Sequence, residues 1–166
     1  MNQPQKKKSP VQEQQFSIDG PFLGKGAICG PILHSLPTWF GIEEAIIQYT
    51  AEIDHLPTFL AYEAGKVMGF LSIKQHYPAS AEVFVMGIRE EAHRQGMGRA
   101  LLHQSQKWLK DEGVEYLQVK TLGPSHPDEN YAKTRAFYLA MGFKPLEEFP
   151  QIWDAGNPCL ILIIKL

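Results

Sequence analysis

The residues best suited to chemistry surround two glycines in the middle of the chain, Gly96 and Gly98. An apolar run of strand length, Val83 to Ile88, precedes them, and a helical repeat of apolar residues follows. Glycine lets the backbone turn tightly at such a junction, and the free N–H groups of a helix's first turn attract anions, phosphate above all. Because Arg94 and Arg99 add positive charge, we interpret the segment as a phosphate-binding helix start.

Two other glycine-rich phosphate loops do not fit this segment. The Gly-Lys-Ser/Thr end of the nucleotide-binding P-loop is missing, and so is the full fingerprint of dinucleotide-binding folds. A nucleotide-binding protein therefore remains only an alternative, against which the missing phosphate-binding lysine argues.

The elements that must position this segment indicate a mixed α/β fold. Antiparallel strands come first and a β-α-β order follows, so we predict one domain with a mixed, mostly antiparallel central sheet flanked by helices. Strands are predicted at 16–22, 58–63, 67–74, 82–88, 114–121, 143–149 and 159–165, with hairpin turns at 64–66 and 77–80. Helices are predicted at 28–40 (interrupted by prolines), at 41–54, at 98–113 and before Gly142, while 150–158 is predicted to be a loop.

Composition argues against several classes of protein. The chain has 166 residues, 44% of them hydrophobic, which suits one domain with one core, and its net charge of −2 predicts no nucleic-acid partner. Cys29 and Cys159 are far apart and lack metal-ligand spacing, so we predict no metal site and two small core thiols in a reduced, cytoplasmic protein. No apolar run approaches the ~20 residues of a membrane span, and the polar residues 1–15 predict a disordered tail.

The glycine segment also carries a family resemblance. Residues 93–102, His-Arg-Gln-Gly-Met-Gly-Arg-Ala-Leu-Leu, resemble the acetyl-CoA-binding motif of the GCN5-related N-acetyltransferases (GNAT), written Q/R-x-x-G-x-G/A, with His93 as a departure at its first position. Residues 136–143, Ala-Phe-Tyr-Leu-Ala-Met-Gly-Phe, resemble the family's F-Y-x-x-x-G-F signature and stand in the family's order. The resemblance implies that residues 16–166 form a GNAT domain that uses acetyl-CoA.

By this resemblance, three stretches contact the cofactor. The glycine loop would hold the pyrophosphate through backbone N–H groups, and the end of the central strand would hold the pantetheine arm, with Gly87 leaving room for close approach. Many relatives place an asparagine seven residues before the signature tyrosine, but that position is Tyr131 here, so either the helix starts differently or Asn130 acts from a shifted turn. Lys133 is interpreted as a solvated charge. The implied cofactor-binding residues are Met86, Gly87, Ile88, His93, Arg94, Gln95, Gly96, Met97, Gly98, Arg99, Asn130, Tyr131 and Arg135.

Transfer of an acetyl group to an amine requires the amine to be neutral. An alkyl amine titrates near pKa ~10.4, so deprotonation at pH 7 costs roughly 4 to 5 kcal/mol, which a base or a water chain must offset. Glu82 opens the central strand, and residues 81–83 resemble the place where histone-acetylating members carry their general base. The alternatives are that Glu82 is an exposed strand end, or that His76 or His126 is the base.

Departure of the coenzyme A thiolate would gain from a proton donor. The thiol pKa is near ~8.5 and that of a phenol near ~10, so full transfer from tyrosine is uphill by about 2 kcal/mol and a hydrogen bond suffices. The resemblance gives this role to Tyr138; the alternative is a core aromatic beside Phe137.

The predicted function is acetyl-CoA-dependent N-acetylation of a primary amine by direct attack in a ternary complex. Cys29 and Cys159 lie outside both motifs, so an acetyl-cysteine route has no sequence support. The alternative is a non-catalytic acyl-CoA-binding sensor. The acceptor, a small molecule or a peptide, is left open, as is homodimerisation. Five aromatic residues are candidates for lining the cleft that binds the acceptor: Trp39, Phe40, Tyr49, Tyr77 and Trp153.

Overall fold

Seven strands and four α-helices make up the part of the chain that the computed structural model describes, residues 16–154 and 156–166. In chain order they are β1 (Phe16–Phe22), α1 (Gly26–His34), α2 (Glu43–Ile53), β2 (Thr58–Glu63), β3 (Lys66–Tyr77), β4 (Ser80–Ile88), α3 (Met97–Asp111), β5 (Tyr116–Leu122), α4 (Glu129–Ala140), β6 (Lys144–Asp154) and β7 (Asn157–Lys165). The predicted tail, residues 1–15, lies outside the described residues.

All seven strands belong to one sheet, in the order β1-β2-β3-β4-β5-β7-β6. Within the described residues β4 and β5 form a parallel pair, and the other neighbours are antiparallel. This confirms the mixed, mostly antiparallel sheet. Both predicted hairpins are also present, because two-residue turns at 64–65 and 78–79 join β2 to β3 and β3 to β4.

The parallel strands β4 and β5 are paired over only part of their length. Pairing runs from Ser80 with Tyr116 to Val83 with Val119 and then stops, although both strands continue. Ser72 of β3 pairs with Val85, and the next residue of β3 pairs with Val83, so Phe84 is the extra residue of a β-bulge. This bulge bends β4 at the point where its pairing with β5 stops. The sheet therefore opens into a gap between the second halves of β4 and β5.

Apolar side chains cover both faces of the sheet. On one face α3 and α4 bury a cluster that includes Leu101 and Tyr138, and on the other α1 and α2 bury a cluster that includes Ile32 and Ile46. Cys29 belongs to the second cluster, and both cysteines are free and buried, as predicted for core thiols. None of the described helices is long and apolar enough to cross a membrane.

Apart from shifts of one to three residues at element ends, the predicted elements differ from the observed ones in two places. Residues 150–154 belong to β6, where a loop was expected, because β6 is an edge strand and tolerates Pro150 without losing a ladder hydrogen bond. The first helix ends at His34, before Pro37, since a residue preceding proline disfavours helical backbone angles.

Candidate functional site

A cleft of about 820 Å³ lies where β4 and β5 separate. Its wall is built from both strands, from the start of α3, from α4, from the segment between α1 and α2, from Tyr49 of α2 and from Trp153 of β6. A volume of this size suits a ligand with several functional groups.

The start of α3 forms one end of the cleft. Gly96 is its N-cap with φ +86°, a left-handed conformation that favours glycine, and a Cβ there would meet no atom within 4 Å. Met97 is buried and fixes the first turn, while Arg94 and Arg99 are exposed on the cleft wall. The first-turn N–H groups have no intrahelical partner by geometry, so this end can bind an anion.

Two predicted residues brace the loop before α3 with their side chains. His93 Nε2 lies 2.6 Å from the Ile88 carbonyl oxygen, and its ring meets Trp39 edge to face. Gln95 is exposed, donates to the Glu91 carbonyl oxygen and is not part of the cleft wall. Side-chain contact with a bound ligand is therefore available to His93 but not to Gln95 in this conformation.

Close packing explains the glycines at positions 87 and 98. A Cβ at Gly98 would lie 3.1 Å from Ile88 Cδ1, so the absence of a side chain lets α3 approach β4. A Cβ at Gly87 would lie 3.0 Å from the Phe70 ring and close to α1. The room at Gly87 thus serves the core, although Met86, Gly87 and Ile88 all line the cleft.

Helix α4 supplies the opposite wall. Asp128 caps it by accepting from the Asn130 and Tyr131 N–H groups, and both of these residues line the cleft. The Tyr131 hydroxyl donates to the Trp39 carbonyl oxygen at 2.9 Å, and burial raises the pKa of Tyr131 to about 12. Tyr131 therefore ties the α1–α2 segment to α4, whereas the Asn130 side-chain amide forms no hydrogen bond with the residues that the structure describes.

The two basic residues of α4 differ from expectation. Arg135 Nη1 donates to the Leu122 carbonyl oxygen at 2.8 Å, and Arg135 is not on the cleft wall. Lys133, interpreted from the sequence as a solvated charge, is exposed but does line the cleft.

Tyr138 lines the cleft from the α4 side. It is 4% exposed and packs edge to face against Phe137 and Phe143, so it is a core aromatic as well as a cleft residue. Burial raises the pKa of its phenol above the ordinary value, so the hydroxyl keeps its proton at any physiological pH.

Glu82 lies on the opposite face of the sheet, inside a charged cluster. It is 5% exposed, and its Oε2 accepts from Lys120 Nζ at 2.9 Å and lies 2.6 Å from His76 Nε2. Glu82 itself is not on the cleft wall, whereas Lys120 is. Glu82 is therefore not an exposed residue at a strand end. Its partner His76 is one third exposed and lies between the carboxylate and solvent. The other histidine considered, His126, does not line the cleft.

Sequence reasoning missed several cleft residues, among them three at the gap, and it misplaced one of the aromatic candidates. Phe84, Lys120 and Thr121 line the gap, and the Thr121 hydroxyl is buried without a hydrogen-bond partner among the described residues. Lys120 is the only charged residue of β5, a signal that the strand pattern did contain. Of the five aromatic candidates Tyr77 is wrong: it is 74% exposed and lies outside the wall.

Comparison with known proteins gives consistent results. A sequence profile of the Acetyltransferase (GNAT) family matches residues 32–143. An uncharacterised N-acetyltransferase of Chlorobaculum tepidum is 30% identical over 111 residues, which cover 64% of either chain, so the match spans less than two thirds of that relative. The ribosomal-protein-S18-alanine N-acetyltransferase of Escherichia coli superposes with a TM-score of 0.72 at 18% identity, covering 90% of this chain and 93% of that one. A GNAT acetyltransferase of Elizabethkingia anophelis with acetyl-CoA bound superposes with a TM-score of 0.68 at 19% identity, covering 93% and 100%.

Proposed function

This chain belongs to the GNAT family of acetyltransferases, and we propose that it transfers the acetyl group of acetyl-CoA directly to a primary amine while both are bound. The observation that carries the proposal is the gap between β4 and β5, which joins the start of α3 to Tyr138 on one face of the sheet and to Lys120, the partner of Glu82, on the other.

The residues present fit acetyl-CoA. The exposed start of α3 with Arg94 and Arg99 suits the pyrophosphate, since N–H groups and positive charge both favour phosphate oxygens. Beyond Val83, no strand among the described residues pairs with the edge of β4 that faces the gap, so backbone groups of Met86 to Ile88 are available to bind the pantetheine amides. Asn130 would add a side-chain contact from α4. When bound, acetyl-CoA supplies an activated thioester carbonyl.

The groups that act on the amine and on the leaving sulfur would lie on opposite faces of the sheet. The amine would approach from the α1–α2 face, where Glu82 lies, and Tyr138 would meet the thioester sulfur from the α4 face. Bringing the partners together through one narrow gap lowers the entropic part of the barrier. It also keeps the neutral amine close to the carbonyl carbon that it attacks.

Tyr138 would stabilise the leaving sulfur as a hydrogen-bond donor. Because burial raises the pKa of its phenol, full proton transfer to the thiolate is even less favourable than for an ordinary tyrosine. A hydrogen bond that strengthens as charge develops on sulfur needs no transfer and still lowers the barrier.

Glu82 would accept the proton that the amine loses, through water or through Lys120, because the carboxylate is set back from the cleft wall. His76 contacts the same carboxylate oxygen and is one third exposed, so it offers the proton a way to solvent. Lys120 holds its ammonium group 2.9 Å from the carboxylate oxygen that would receive the proton.

The test is calorimetric titration with acetyl-CoA, run beside thiol release with polyamines, aminoglycosides, amino acids and lysine peptides. Binding with thiol release in the presence of one amine class supports the enzyme. Binding without release for any amine would favour a sensor, and no binding would overturn the assignment of the α3 start.

A further inference from the structure

The acceptor half of the cleft has a composition that selects among amines. Five aromatic side chains form its wall: Trp39, Phe40, Tyr49, Phe84 and Trp153. Tyr49 meets Phe40 and Phe84 edge to face at centroid distances of 6.0 and 5.5 Å, so these rings hold one another in place. Such a wall gives affinity to an apolar or aromatic body and little to a chain of polar groups.

The same wall carries no negative charge. Among the described residues that line the cleft, none is aspartate or glutamate. Glu82 is not on the wall and is already paired with Lys120, which is. A polyamine or an aminoglycoside would bring several cations into this space without a counter-charge, which is unfavourable next to Lys120.

Lys120 is the cation at the point where the strands separate. It follows Val119, the last β5 residue that pairs with β4, and its side chain is 28% exposed. One of the three ammonium donors serves Glu82 Oε2, at 2.9 Å, so donors remain for an oxygen of the ligand. Because the thioester carbonyl must also lie in the gap, that oxygen has to be a few bonds from the attacking nitrogen.

We propose that the acceptor is a free α-amino acid with an aromatic or large apolar side chain, whose carboxylate binds Lys120 and whose side chain packs on the aromatic wall. This inference rests on the proposed acetyl transfer and names its substrate class. The neutral α-amino nitrogen attacks the thioester carbonyl carbon, a C–N bond forms and the C–S bond breaks. One proton is lost from the nitrogen and one is returned to the sulfur, which gives an N-acetyl amino acid and coenzyme A.

A panel of matched amines tests the substrate class by thiol release. It contains L-phenylalanine, L-leucine, phenethylamine, a tripeptide that starts with phenylalanine, spermidine and kanamycin. Phenylalanine should exceed phenethylamine, which lacks only the carboxylate, by about 10- to 100-fold in kcat/KM, the range expected for one charge-assisted hydrogen bond. A preference for spermidine, kanamycin or the tripeptide, or equal rates for phenylalanine and phenethylamine, would overturn the inference.

Variants at position 120 test the role of the ammonium. In Lys120→Met the ratio of kcat/KM for phenylalanine to that for phenethylamine should fall toward one, and Lys120→Arg should keep most of the preference. The ratio cancels effects on folding and on the chemical step that both amines share. Lys144→Met, at an exposed lysine of the same sheet outside the cleft, is the control and should leave the ratio unchanged. An unchanged ratio in Lys120→Met contradicts the carboxylate contact.

Failure of this inference can be told apart from failure of the acetyl-transfer proposal. Without acetyl-CoA binding the acetyl-transfer proposal itself fails. If acetyl-CoA binds and another amine class is acetylated, only the inference fails. If no amine on the panel is acetylated, titration of L-phenylalanine into the protein loaded with coenzyme A decides: we expect binding, and its absence rejects the substrate class.

Discussion

At the scale of single residues, Tyr138 is the side chain whose role can be tested most cleanly. Phenylalanine in its place keeps the contacts with Phe137 and Phe143 and removes only the hydroxyl. We expect Tyr138→Phe to lower kcat by about 10²- to 10⁴-fold and to leave the Kd for acetyl-CoA nearly unchanged, because the hydroxyl acts on charge that develops during the reaction. Steady-state kinetics and calorimetry measure the two quantities. An unchanged kcat would remove Tyr138 from the mechanism.

For Glu82, a substitution must distinguish a role as proton acceptor from a role in holding neighbouring side chains. Glu82→Gln keeps the shape but cannot accept a proton, so kcat at pH 7 should fall about 10²-fold. The deficit should shrink as the pH approaches the pKa of the amine, because the amine then arrives already neutral. The pH dependence of kcat/KM for wild type and variant measures this. A deficit that stays constant with pH would mean that Glu82 serves to hold Lys120 and His76.

Whether the sequence predicts that a residue belongs to the site depends on whether a local motif or the tertiary fold places it there. Gly96 and Tyr138 belong to local motifs, so their neighbours along the chain were enough to find them. Lys120, Thr121 and Arg135 depend on which way a side chain faces across the sheet or helix. That direction follows from the strand pairing and from the splitting of β4 and β5, which no local pattern contains.

At the scale of elements, the start of α3 should be sensitive to charge. Gly96→Glu should abolish measurable acetyl-CoA binding, because it puts a carboxylate where the pyrophosphate would lie and strains a residue with φ +86°. Gly113 is the matched control: it has φ +80°, an equally open surrounding, and a position just past the other end of the same helix.

The control isolates the charge because both variants carry the same backbone strain. Gly113→Glu should lose a comparable amount of stability, about 1 to 2 kcal/mol, and keep the wild-type Kd for acetyl-CoA. Calorimetry gives the affinities and urea unfolding the stabilities. Equal loss of affinity in both variants would indicate that destabilisation, and not the anion site, explains the effect.

The elements themselves were largely predictable, because strand and helix periods, hairpin turns and glycine stops are local signals. The exceptions have tertiary causes. Pro150 argued for a loop, but it lies in β6, whose place at the sheet edge tolerates proline. The bulge at Phe84 is set by pairing with β3 and could not be read from β4 alone, although it accompanies the opening of the cleft.

At the scale of the whole molecule, the sheet lies between two hydrophobic layers and opens between β4 and β5. The cluster under α3 and α4 and the cluster under α1 and α2 each pack on continuous parts of the sheet. None of the described strands pairs with the edges of β4 and β5 that face the gap, a local cost that the packing on either side offsets. Tyr131 and Trp39 add a hydrogen bond across the cleft. We infer that the two layers keep the gap open and prepared for a ligand.

Cys29 in the cluster under α1 and α2 and Tyr131 on the cleft wall ionise only at high pH, and this predicts how the stability of the fold depends on pH. Burial raises the pKa of Cys29 from 9.0 to about 12, with the negative charge of Asp54 adding to the effect, and the pKa of Tyr131 from 10.0 to about 12. Between these values the unfolded chain loses protons that the folded chain keeps. These two groups should therefore leave the free energy of unfolding unchanged up to about pH 8.5 and lower it at higher pH, Cys29 from about pH 9 and Tyr131 from about pH 10, each by up to about 1.4 kcal/mol per pH unit.

Cys29→Ala isolates one of these groups. At pH 7 the variant should be less stable by about 1 to 2 kcal/mol, because it removes a sulfur atom from the cluster under α1 and α2. Between pH 9 and 10 its stability should fall less steeply than that of the wild type, by up to about 1.4 kcal/mol per pH unit, so that the two curves converge. Urea unfolding from pH 7 to pH 10 measures both curves, and the range below pH 8.5, where the slopes should agree, is the internal control. Curves that stay parallel up to pH 10 would mean that the thiol ionises in the folded protein as readily as in the unfolded chain, and that the α1–α2 layer admits water to Cys29.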